Sequence, residues 1–508
     1  MPLTVAILRV MLARMRNPVL ARSSAALAIV ALLSACGGGG GGATAIGGGT
    51  PTPTPTPTPS PTASPPATGT CSLRSRQDWV LAQMREWYLF PETLPASPNP
   101  ASFSNLDDWT DALTETARGQ GRDRYFTYVT SIAEENAFYN SGSSAGFGFR
   151  LGVDPAGRRA GILEAFEGAP ALAAGLDRGT EILAIGTSAA NLRTIADIVA
   201  AEGTAGINNA LGPSDVGVTR VLRVTDAGGT RNVTLAKAEY EIAPVSSRTG
   251  VRVLDGPSGK VGYVNLRTFI NPAEPALRSA FAQFKAQGIR DLIIDLRYNG
   301  GGLLSVAGVL GDLIGGGRSS SDIQSRVVFR PEKSAENETR YFKQLPETVT
   351  PRRIAFIGTG GTASASELVI NAMVPYLGPD VALVGTNTFG KPVGQIALDQ
   401  AACDDRLRVV AFSTRNRDNQ GDYYSGLAPF VRSTCDAIDD ASRPLGDPAE
   451  ASTQAALNFI AGRSCAPIGA ATATAGTGSN AIRTLSGTRE LVTPMRPSPS
   501  QREVPGSF

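Results

Sequence analysis

The sequence predicts a layered α/β core, accompanied by a β-rich region and a small N-terminal helical region. In the second half of the chain, "DLIIDL", "RRIAFIG", "TASASELVINAMVPYLG" and "DVALVG" alternate between strand and helix patterns. This alternation is typical of layered α/β domains. With 508 residues, of which 42% are hydrophobic, the chain is long enough for two or three domains with substantial cores.

Residues 1–35 have the layout of a secretory signal. Arginines precede an apolar run over residues 25–33 that is too short to span a bilayer. The run ends in "LSAC", which resembles the lipobox of bacterial lipoproteins. That resemblance implies cleavage before Cys36, a lipid on the Cys36 thiol, and anchoring to the outer membrane facing the periplasm. The alternative is an ordinary signal peptide with a chance cysteine.

Both ends of the mature chain have compositions that do not form a core. Residues 36–70 are rich in glycine and then in alternating proline and threonine, which favours an extended tether. Residues 466–508 are rich in Ala, Gly, Thr, Ser and Pro, and we expect them to be disordered.

The chain contains no histidine, and this absence excludes several kinds of site. A Ser-His-Asp triad and a histidine-based zinc site are both impossible. The glycines at 300–302 follow a strand and open a helix, but no Lys-Ser/Thr pair follows them as a P-loop requires. We therefore predict no metal and no cofactor.

The charge balance gives no sign of a nucleic-acid partner. Without the arginines of the signal, the 47 basic side chains no longer outnumber the 45 acidic ones. A protein that binds nucleic acid through phosphate contacts is expected to carry a basic excess.

Cysteines beyond the signal occur at four positions: Cys71, Cys403, Cys435 and Cys465. An even number in an exported protein predicts two disulfides, with three possible pairings. Cys71 and Cys465 bracket the globular region, so we expect these two to pair. Cys403 would then pair with Cys435.

The spacing of hydrophobic residues divides residues 71–465 into three predicted regions. In residues 71–143, Val80, Met84 and Trp87 recur at helical spacing. Residues 144–239 contain short apolar runs separated by turn signals, which predict strands, with a short helix ended by Gly175. Residues 240–465 form the predicted α/β core, where Leu277, Phe281 and Phe284 share one helical face in "AEPALRSAFAQFKAQGIR".

The region 144–239 resembles a PDZ domain. Its "GFGF" matches the carboxylate-binding loop of that family, and "APALAAGLDRGTEILAIG" matches the small helix and following strand. The stretch 187–217 is longer than the usual connection. The resemblance implies that peptide C-termini bind here by adding a strand to a sheet edge. The residues implied in peptide binding are Gly146, Phe147, Gly148 and Phe149.

A serine stands at a predicted strand-turn-helix junction in "GGTASASELV". There the amides of a helix N-terminus can stabilise an oxyanion next to Ser364. Without histidine, the available base is a lysine whose pKa is lowered by burial, and Lys391 in "NTFGKPVGQ" is the candidate. Ser366 is the rival nucleophile. Ser364 and Glu367 also fit a capping box, in which the serine only caps the helix.

Three motifs together resemble the C-terminal processing, or tail-specific, serine peptidases. They are a "DLR-N-GG" loop over residues 295–302, "SASE" over 364–367, and "FGK" with a later glutamine over 389–395. The resemblance implies a crotonase-like core and a Ser-Lys mechanism. The roles it implies are Ser364 as nucleophile, Lys391 as base, Gln395 as the residue orienting the lysine, and Ala365, Gly301 and Gly302 around the oxyanion.

The same resemblance implies an endopeptidase that cleaves free C-terminal tails of envelope proteins. Two departures from the family pattern are Pro392, where glycine is usual, and a longer gap between serine and lysine. The alternative function is a non-catalytic relative that keeps the fold and binds ligands or proteins.

Overall fold

The computed structural model describes residues 71–154, 156, 158–256, 259–469 and 490–508. The predicted signal with Cys36, the predicted tether over 36–70, and residues 470–489 of the predicted disordered tail lie outside the described residues. In the part that is described, no helix is both long and apolar enough to cross a membrane.

The N-terminal region is mainly helical, as its spacing predicts. Its elements are α1 (Leu73–Trp87), α2 (Leu106–Gly119), β1 (Tyr128–Ser131) and α3 (Ile132–Ser141). Val80 and Met84 are fully buried, and the helices start at Ser72, Asn105 and Ser131, whose side chains accept amide hydrogens of the first turn. These helices pack against a sheet formed much later in the chain.

The β-rich region forms an antiparallel sheet in the order β3-β4-β5-β7-β8, with β6 beside β5 and a separate β2-β9 pair. The short helix ends before Gly175, whose φ of +74° suits glycine. Two helices occupy about half of the long stretch 187–217. The elements are β2 (Ser143–Gly146), β3 (Phe149–Val153), β4 (Ala160–Ala165), α4 (Pro170–Ala173), β5 (Glu181–Gly186), β6 (Arg193–Thr194), α5 (Ile195–Glu202), α6 (Ala205–Leu211), β7 (Thr219–Asp226), β8 (Gly229–Ala236) and β9 (Ala238–Glu241).

The predicted α/β core supplies most of the remaining elements. They are β10 (Val251–Gly256), β11 (Gly259–Asn265), α7 (Ala273–Ala286), β12 (Asp291–Asp295), α8 (Leu304–Leu313), β13 (Ile323–Phe329), β14 (Glu338–Tyr341), β15 (Arg353–Gly358), α9 (Ala365–Leu377), β16 (Val381–Gly385), β17 (Val393–Gln400), β18 (Asp405–Arg415), β19 (Ser433–Asp436) and α10 (Ala451–Ile460). Short 3₁₀ turns lie at Pro91–Thr93, Pro100–Ser102, Pro331–Glu336, Gly378–Asp380, Ala401–Cys403 and Ala428–Phe430.

The central sheet runs in the order β10-β11-β12-β15-β16-β19 and is parallel from β11 onward. In β12, Leu292 and Ile294 face the cluster that contains α7, α8 and α9, whereas Ile293 faces the cluster of α10. Strands buried on both faces read as continuous apolar runs, as "DLIIDL" does. Helices therefore cover both faces of the sheet, and the fold is mixed α/β as predicted.

A second sheet runs in the order β1-β18-β13-β14, with β17 also paired to β18. Its long strand β18 pairs with β17 from Asp405 to Ser413, so β1 and β13 share the other edge. This sheet joins the N-terminal region to the core, because β1 comes from the former and β18 from the latter.

The predicted disulfide pairing is wrong. The bonds are Cys71–Cys403 and Cys435–Cys465. Cys403 lies in the turn between β17 and β18, against which α1 packs, so it meets Cys71 just before α1. Cys435 lies on β19, and α10 returns across that part of the sheet before Cys465.

The prediction that residues 466–508 are disordered is also wrong for residues 490–508. They form β20 (Glu490–Leu491) and α11 (Pro499–Glu503), and β20 pairs antiparallel with β3. Val492, Val504 and Phe508 are buried against the rest of the molecule. Their polar composition predicted disorder, because it contains too few apolar residues to form a core of its own. The few apolar side chains are buried against a surface that exists only in the folded protein.

Candidate active site

Three loops of the core meet at the carboxyl-terminal edge of the parallel strands. They follow β12, β15 and β16, which are neighbours in the sheet. Ligand sites of open α/β sheets form beyond this edge. The loops contain, in order, the glycines of 300–302, Ser364 and Lys391. The fold therefore brings the three predicted motifs to one edge of the sheet.

Ser364 stands between β15 and α9 in a backbone conformation that non-glycine residues rarely adopt. Its φ is 54° and its ψ is −115°. Gly301 faces it so closely that a Cβ added to Gly301 would lie 2.8 Å from the Ser364 Cβ. Strained residues of this kind are concentrated at functional sites, where the surrounding structure holds them in place.

The backbone amides around Ser364 differ in their partners. Gly300 donates to the Glu503 carbonyl at 2.9 Å, and Gly301 donates to the Asn299 Oδ1 at 2.9 Å. Within the described ranges, the amides of Gly302 and Ala365 have no acceptor. Ala365 is the first residue of α9, so its amide has no partner inside the helix. These two amides can donate to a ligand oxygen. The amide of Gly301, which was also predicted to bind the oxyanion, already donates to the Asn299 side chain.

Ser366 has a structural position. It is fully buried, and its hydroxyl donates to the Asn299 carbonyl at 3.0 Å. The Ala363 amide donates to the same carbonyl at 3.0 Å. Asn299 thus ties the glycine loop to the serine turn, and Ser366 serves that link.

Glu367 connects the serine to the lysine. One of its oxygens, Oε2, accepts the amide of Ser364 at 3.0 Å and the amide of Lys391 at 2.8 Å. The other accepts the Gly390 amide at 2.7 Å and the Thr388 hydroxyl at 2.6 Å. Burial raises the pKa of Glu367, and these hydrogen bonds oppose the rise only in part. The capping-box pattern predicted the bond to Ser364 but none of the other three.

Lys391 is partly buried, and its ammonium group lies close to Gln395 and Phe126. Nζ lies 3.2 Å from the Gln395 Oε1 and 4.9 Å from the centre of the Phe126 ring. Burial lowers the pKa of Lys391, while the charge of Glu503 raises it and that of Arg502 lowers it. A lowered pKa increases the neutral fraction of a lysine, which is the form that can accept a proton.

Gln395 is aimed at Lys391 by a bulge in β17. The pairing with β18 shifts between Gly394 and Gln395, and bulges of this kind redirect side chains. The Gln395 amide nitrogen donates to the Phe126 carbonyl, which fixes its oxygen toward the lysine. Pro392 stands one residue before β17 begins, so its missing N–H removes no strand hydrogen bond.

The N-terminal region also holds the lysine loop, and no local sequence pattern predicts this contact. Arg124 donates to the carbonyls of Phe389 at 2.9 Å and Gly390 at 2.5 Å, and its guanidinium lies 4.2 Å from the centre of the Phe389 ring. Phe126 contributes the ring and carbonyl described above. Neither residue belongs to a local motif, and both act through partners far away in the sequence.

The predicted peptide-binding loop lies at the start of β3. Phe147 and Phe149 are fully buried and their rings stack at 5.9 Å. The amides of Gly148 and Phe149 donate to the Phe508 carbonyl at 2.7 and 3.3 Å. A Cβ on Gly146 would lie 2.5 Å from the carbonyl carbon of Phe508. The four predicted residues lie side by side, and residues at the end of the described chain, Gly506 to Phe508, pack against this loop and β3.

A cavity of about 850 Å³ adjoins the loops. Residues on its wall include Gly300, Ala363, Lys391, Arg502 and Glu503. A volume of this size accommodates several residues of an extended peptide or a drug-sized ligand.

Comparisons with known proteins agree with these motifs. Residues 260–429 match the model of "Peptidase family S41", and residues 75–128 match that of "Peptidase S41 N-terminal domain". A carboxyl-terminal-processing protease of Synechocystis sp. is 27% identical over 333 residues, covering 63% of this chain and 70% of the relative. A chloroplastic C-terminal processing peptidase of Tetradesmus obliquus is 29% identical over 277 residues, covering 51% of this chain and 54% of the relative.

A solved structure is similar in fold. The putative S41 protease from Bacteroides fragilis aligns with a TM-score of 0.57 and 23% identity, covering 76% of this chain and 97% of that one. The chain is thus similar to peptidase family S41 over residues 75–128 and 260–429.

Proposed function

We propose that the protein is a serine endopeptidase in which Ser364 is the nucleophile and Lys391 the general base. The observation that carries this proposal is the shared acceptor: one oxygen of Glu367 binds the amides of both residues. The two backbones are thereby held at one point, beside the glycine loop. Their hydrogen bonds to a carboxylate are of the strong, charge-assisted kind.

In the first step, neutral Lys391 takes the proton of the Ser364 hydroxyl while Oγ attacks the scissile carbonyl. The carbonyl oxygen becomes an oxyanion, to which the amides of Ala365 and Gly302 donate. The tetrahedral intermediate then collapses, the C–N bond breaks, and Lys391 returns the proton to the leaving amine. Water attacks the resulting acyl-enzyme with Lys391 again as base, which releases the carboxylic acid product.

The lysine has to be neutral to start this sequence. An ordinary lysine, with a pKa of about 10.4, is almost wholly charged at neutral pH. Burial lowers the pKa of Lys391. Gln395 accepts a hydrogen bond from Nζ, which keeps the nitrogen oriented, and the Phe126 ring restricts water on one side.

We propose that the substrates are proteins with free C-terminal tails. The loop Gly146–Phe149 supports this, because two of its amides bind a backbone carbonyl of an added strand. PDZ-like recognition works in this way, with the sheet edge supplying affinity and the loop amides holding the end group. The PDZ-like region would then select the tail and the Ser364 site would cut it.

We also propose that a lipid on Cys36 anchors the protein to the outer membrane, facing the periplasm. The proposal is based on the lipobox-like "LSAC" and on the composition of residues 36–70. Cys36→Ser should move the protein from the membrane fraction to the soluble envelope fraction without changing its thermal unfolding. Unchanged membrane partition would contradict lipidation.

The test of the catalytic assignment is a set of single and double variants. Ser364→Ala and Lys391→Ala should each remove nearly all cleavage of an unstructured polypeptide substrate. The double variant should lose little more, because the two residues act as one unit. In the unaltered protein, kcat should rise with pH along one basic limb whose midpoint lies below the ordinary lysine pKa, since burial lowers that of Lys391.

The matched control is Lys260→Ala, which removes an exposed lysine of the same core and should leave kcat unchanged. Circular dichroism of each variant establishes that it is folded. If folded Lys391→Ala cleaves at close to the unaltered rate while Ser364→Ala does not, another group activates the serine and the dyad is refuted. If neither variant loses activity, the site lies elsewhere.

A further inference from the structure

Residues 490–508, here called the closing segment, lie along one edge of β3 in two pieces. Glu490 and Leu491 pair with Val153 and Gly152, and Val492 donates to the Leu151 carbonyl at 3.1 Å. The chain then leaves the edge and returns to it further along. There the Leu151 amide donates to the Gly506 carbonyl at 2.8 Å.

The second piece ends in the peptide-binding loop. Ser507 bridges Arg150 in the antiparallel sense, and Phe508 donates to the Phe149 carbonyl at 2.9 Å while its own carbonyl accepts from Gly148. The Phe508 side chain is only 5% exposed and joins the hydrophobic cluster that includes Phe149, Ile195 and Ile198. Both pieces therefore use the backbone groups and the apolar pocket that an added peptide strand would need.

The residues between the two pieces cross the catalytic edge of the core. The Glu503 carbonyl accepts the amide of Gly300 at 2.9 Å, and the Glu503 carboxylate accepts the Tyr139 hydroxyl at 3.0 Å. The Arg502 guanidinium lies 3.4 Å from the centre of the Tyr128 ring. Together with Lys391, Arg502 and Glu503 line the cavity described above. One continuous segment thus occupies the groove and forms a wall of the catalytic cavity.

We propose that the closing segment is an internal ligand that holds the protein in a self-occupied state and must leave β3 before a substrate tail can bind. A strand edge can pair with only one partner at a time, so substrate and segment compete directly. The segment also indicates what the groove accepts: a strand with an aromatic side chain at the position of Phe508 and small residues before it, as in Gly506-Ser507. The inhibitory part of the proposal rests on the peptidase function; the binding part does not.

The structure suggests a variant that releases the segment without removing it. Phe508→Asp places a charge in an apolar pocket. Gly506→Val adds a side chain at a φ of +82°, with the nearest atom 3.1 Å from its Cβ, so the returning strand is strained. The double variant is the release variant. Met495→Ala is the matched control, because Met495 lies in the same segment and is 84% exposed.

The first experiment measures binding in a Ser364→Ala background, so that no cleavage intervenes. The probe is a fluorescent peptide with the sequence Ser-Gln-Arg-Glu-Val-Pro-Gly-Ser-Phe, followed by anisotropy. The release variant, and a protein lacking residues 490–508, should bind it at least tenfold more tightly than the full chain or Met495→Ala. Equal affinity of the folded release variant and the full chain would overturn the proposal. So would no binding to a folded truncated protein, since the segment would then be structural.

The second experiment measures cleavage of an unstructured polypeptide ending in Val-Pro-Gly-Ser-Phe with Ser364 intact. The release variant should show at least a tenfold higher kcat/KM, and the free peptide should inhibit the truncated protein competitively. Unchanged kcat/KM together with tighter peptide binding would overturn inhibition by the segment. If no variant cleaves at all, the proposed peptidase function fails, while the binding experiment still decides whether the segment occupies the groove.

Discussion

Glu367 and Glu450 are both fully buried carboxylates of the core, and each accepts backbone amides and a hydroxyl, but Glu450 also forms an ion pair with Arg297. Glu367 is held by three backbone amides and one hydroxyl, and burial raises its pKa. Glu450 binds the Arg297 guanidinium at 3.0 and 2.9 Å. Burial also acts to raise the pKa of Glu450, but Arg297 outweighs it and lowers the pKa to about 2.

The difference reflects what each carboxylate does. Glu450 caps α10 and joins Arg297 to a buried network with Asp295 and Asp439, so its charge pair links elements of the fold. Glu367 has no ion pair among the described residues, and its hydrogen bonds hold the backbone of Ser364 beside that of Gly390 and Lys391. A buried charge can thus serve either cohesion or alignment, according to its partners.

The largest expected effect comes from removing the cation of the network. Arg297→Met leaves Asp295 and Glu450 buried without a guanidinium partner and leaves Asp439 paired with Arg178 alone. We expect a loss of about 3–5 kcal/mol in the free energy of unfolding, since an uncompensated buried charge costs that much. Urea unfolding measures it.

Arg74→Met is the matched control, because Arg74 forms an exposed pair with Asp78. Exposed pairs of this kind contribute roughly 0–1 kcal/mol. Equal destabilisation by the two substitutions would contradict the assigned role of the network.

A smaller effect is expected from acid. The folded pKa of Glu450 lies at about 2 and its ordinary value is 4.5, so its stabilising contribution is complete above pH 4.5 and is lost as the pH falls towards 2. From the linkage relation, this contribution amounts to about 3 kcal/mol. The raised pKa of Glu367 acts in the opposite sense, because its ionisation costs folding free energy as the pH rises.

The free energy of unfolding, measured from pH 5 to pH 2, tests this sign. Glu450→Gln should flatten the loss of stability on acidification, whereas Glu338→Gln, at an exposed position, should leave the slope unchanged. A Glu450→Gln variant as acid-sensitive as the unaltered protein would show that Glu450 does not carry the effect.

The smallest effect on stability, but a clear effect on catalysis, is expected from Glu367→Gln. The new amide group cannot accept two of the four hydrogen bonds, which destabilises the fold by about 1–3 kcal/mol for each donor left unsatisfied. Neutralising the side chain also removes the cost of ionising a buried carboxyl whose pKa burial raises, so the two effects largely offset each other. The backbone amides of Ser364 and Lys391 are then no longer held by one carboxylate oxygen. We expect kcat to fall by roughly 10–100-fold, as for small displacements of reacting groups.

KM should change little in that variant, and the basic limb of the pH profile should remain, because Lys391 is still present. Glu115→Gln, on an exposed part of α2, should leave both kcat and stability unchanged. If kcat were unaltered in Glu367→Gln, groups other than Glu367 would align Ser364 with Lys391.

Sequence patterns predicted the parts of the molecule that depend on neighbours along the chain. The strand β12 was predictable because burial on both faces requires a continuous apolar run. The Ser364 turn and the glycine loop were predictable because strand, turn and helix follow one another directly. Their meeting at one sheet edge then follows from the parallel order of the strands.

The remaining features depend on residues far apart in the chain. The two disulfides depend on which strands lie beneath α1 and α10, and Cys spacing contains no such information. The capping-box pattern is local, whereas the bonds from Glu367 to the lysine loop are not. The closing segment has a polar composition, and its order comes from the edge of β3.

Phe126 and Arg124 have a consequence for when the proposed lysine site is complete. Both are synthesised early, whereas their partners are synthesised late: Arg124 binds the carbonyls of Phe389 and Gly390, and Phe126 contacts Lys391 and Gln395. A nascent chain that has exposed its serine turn still lacks the lysine, and a fragment without the N-terminal region lacks the ring and carbonyl that surround it. In the proposed mechanism, the lysine site is therefore complete only when both regions are present and folded together.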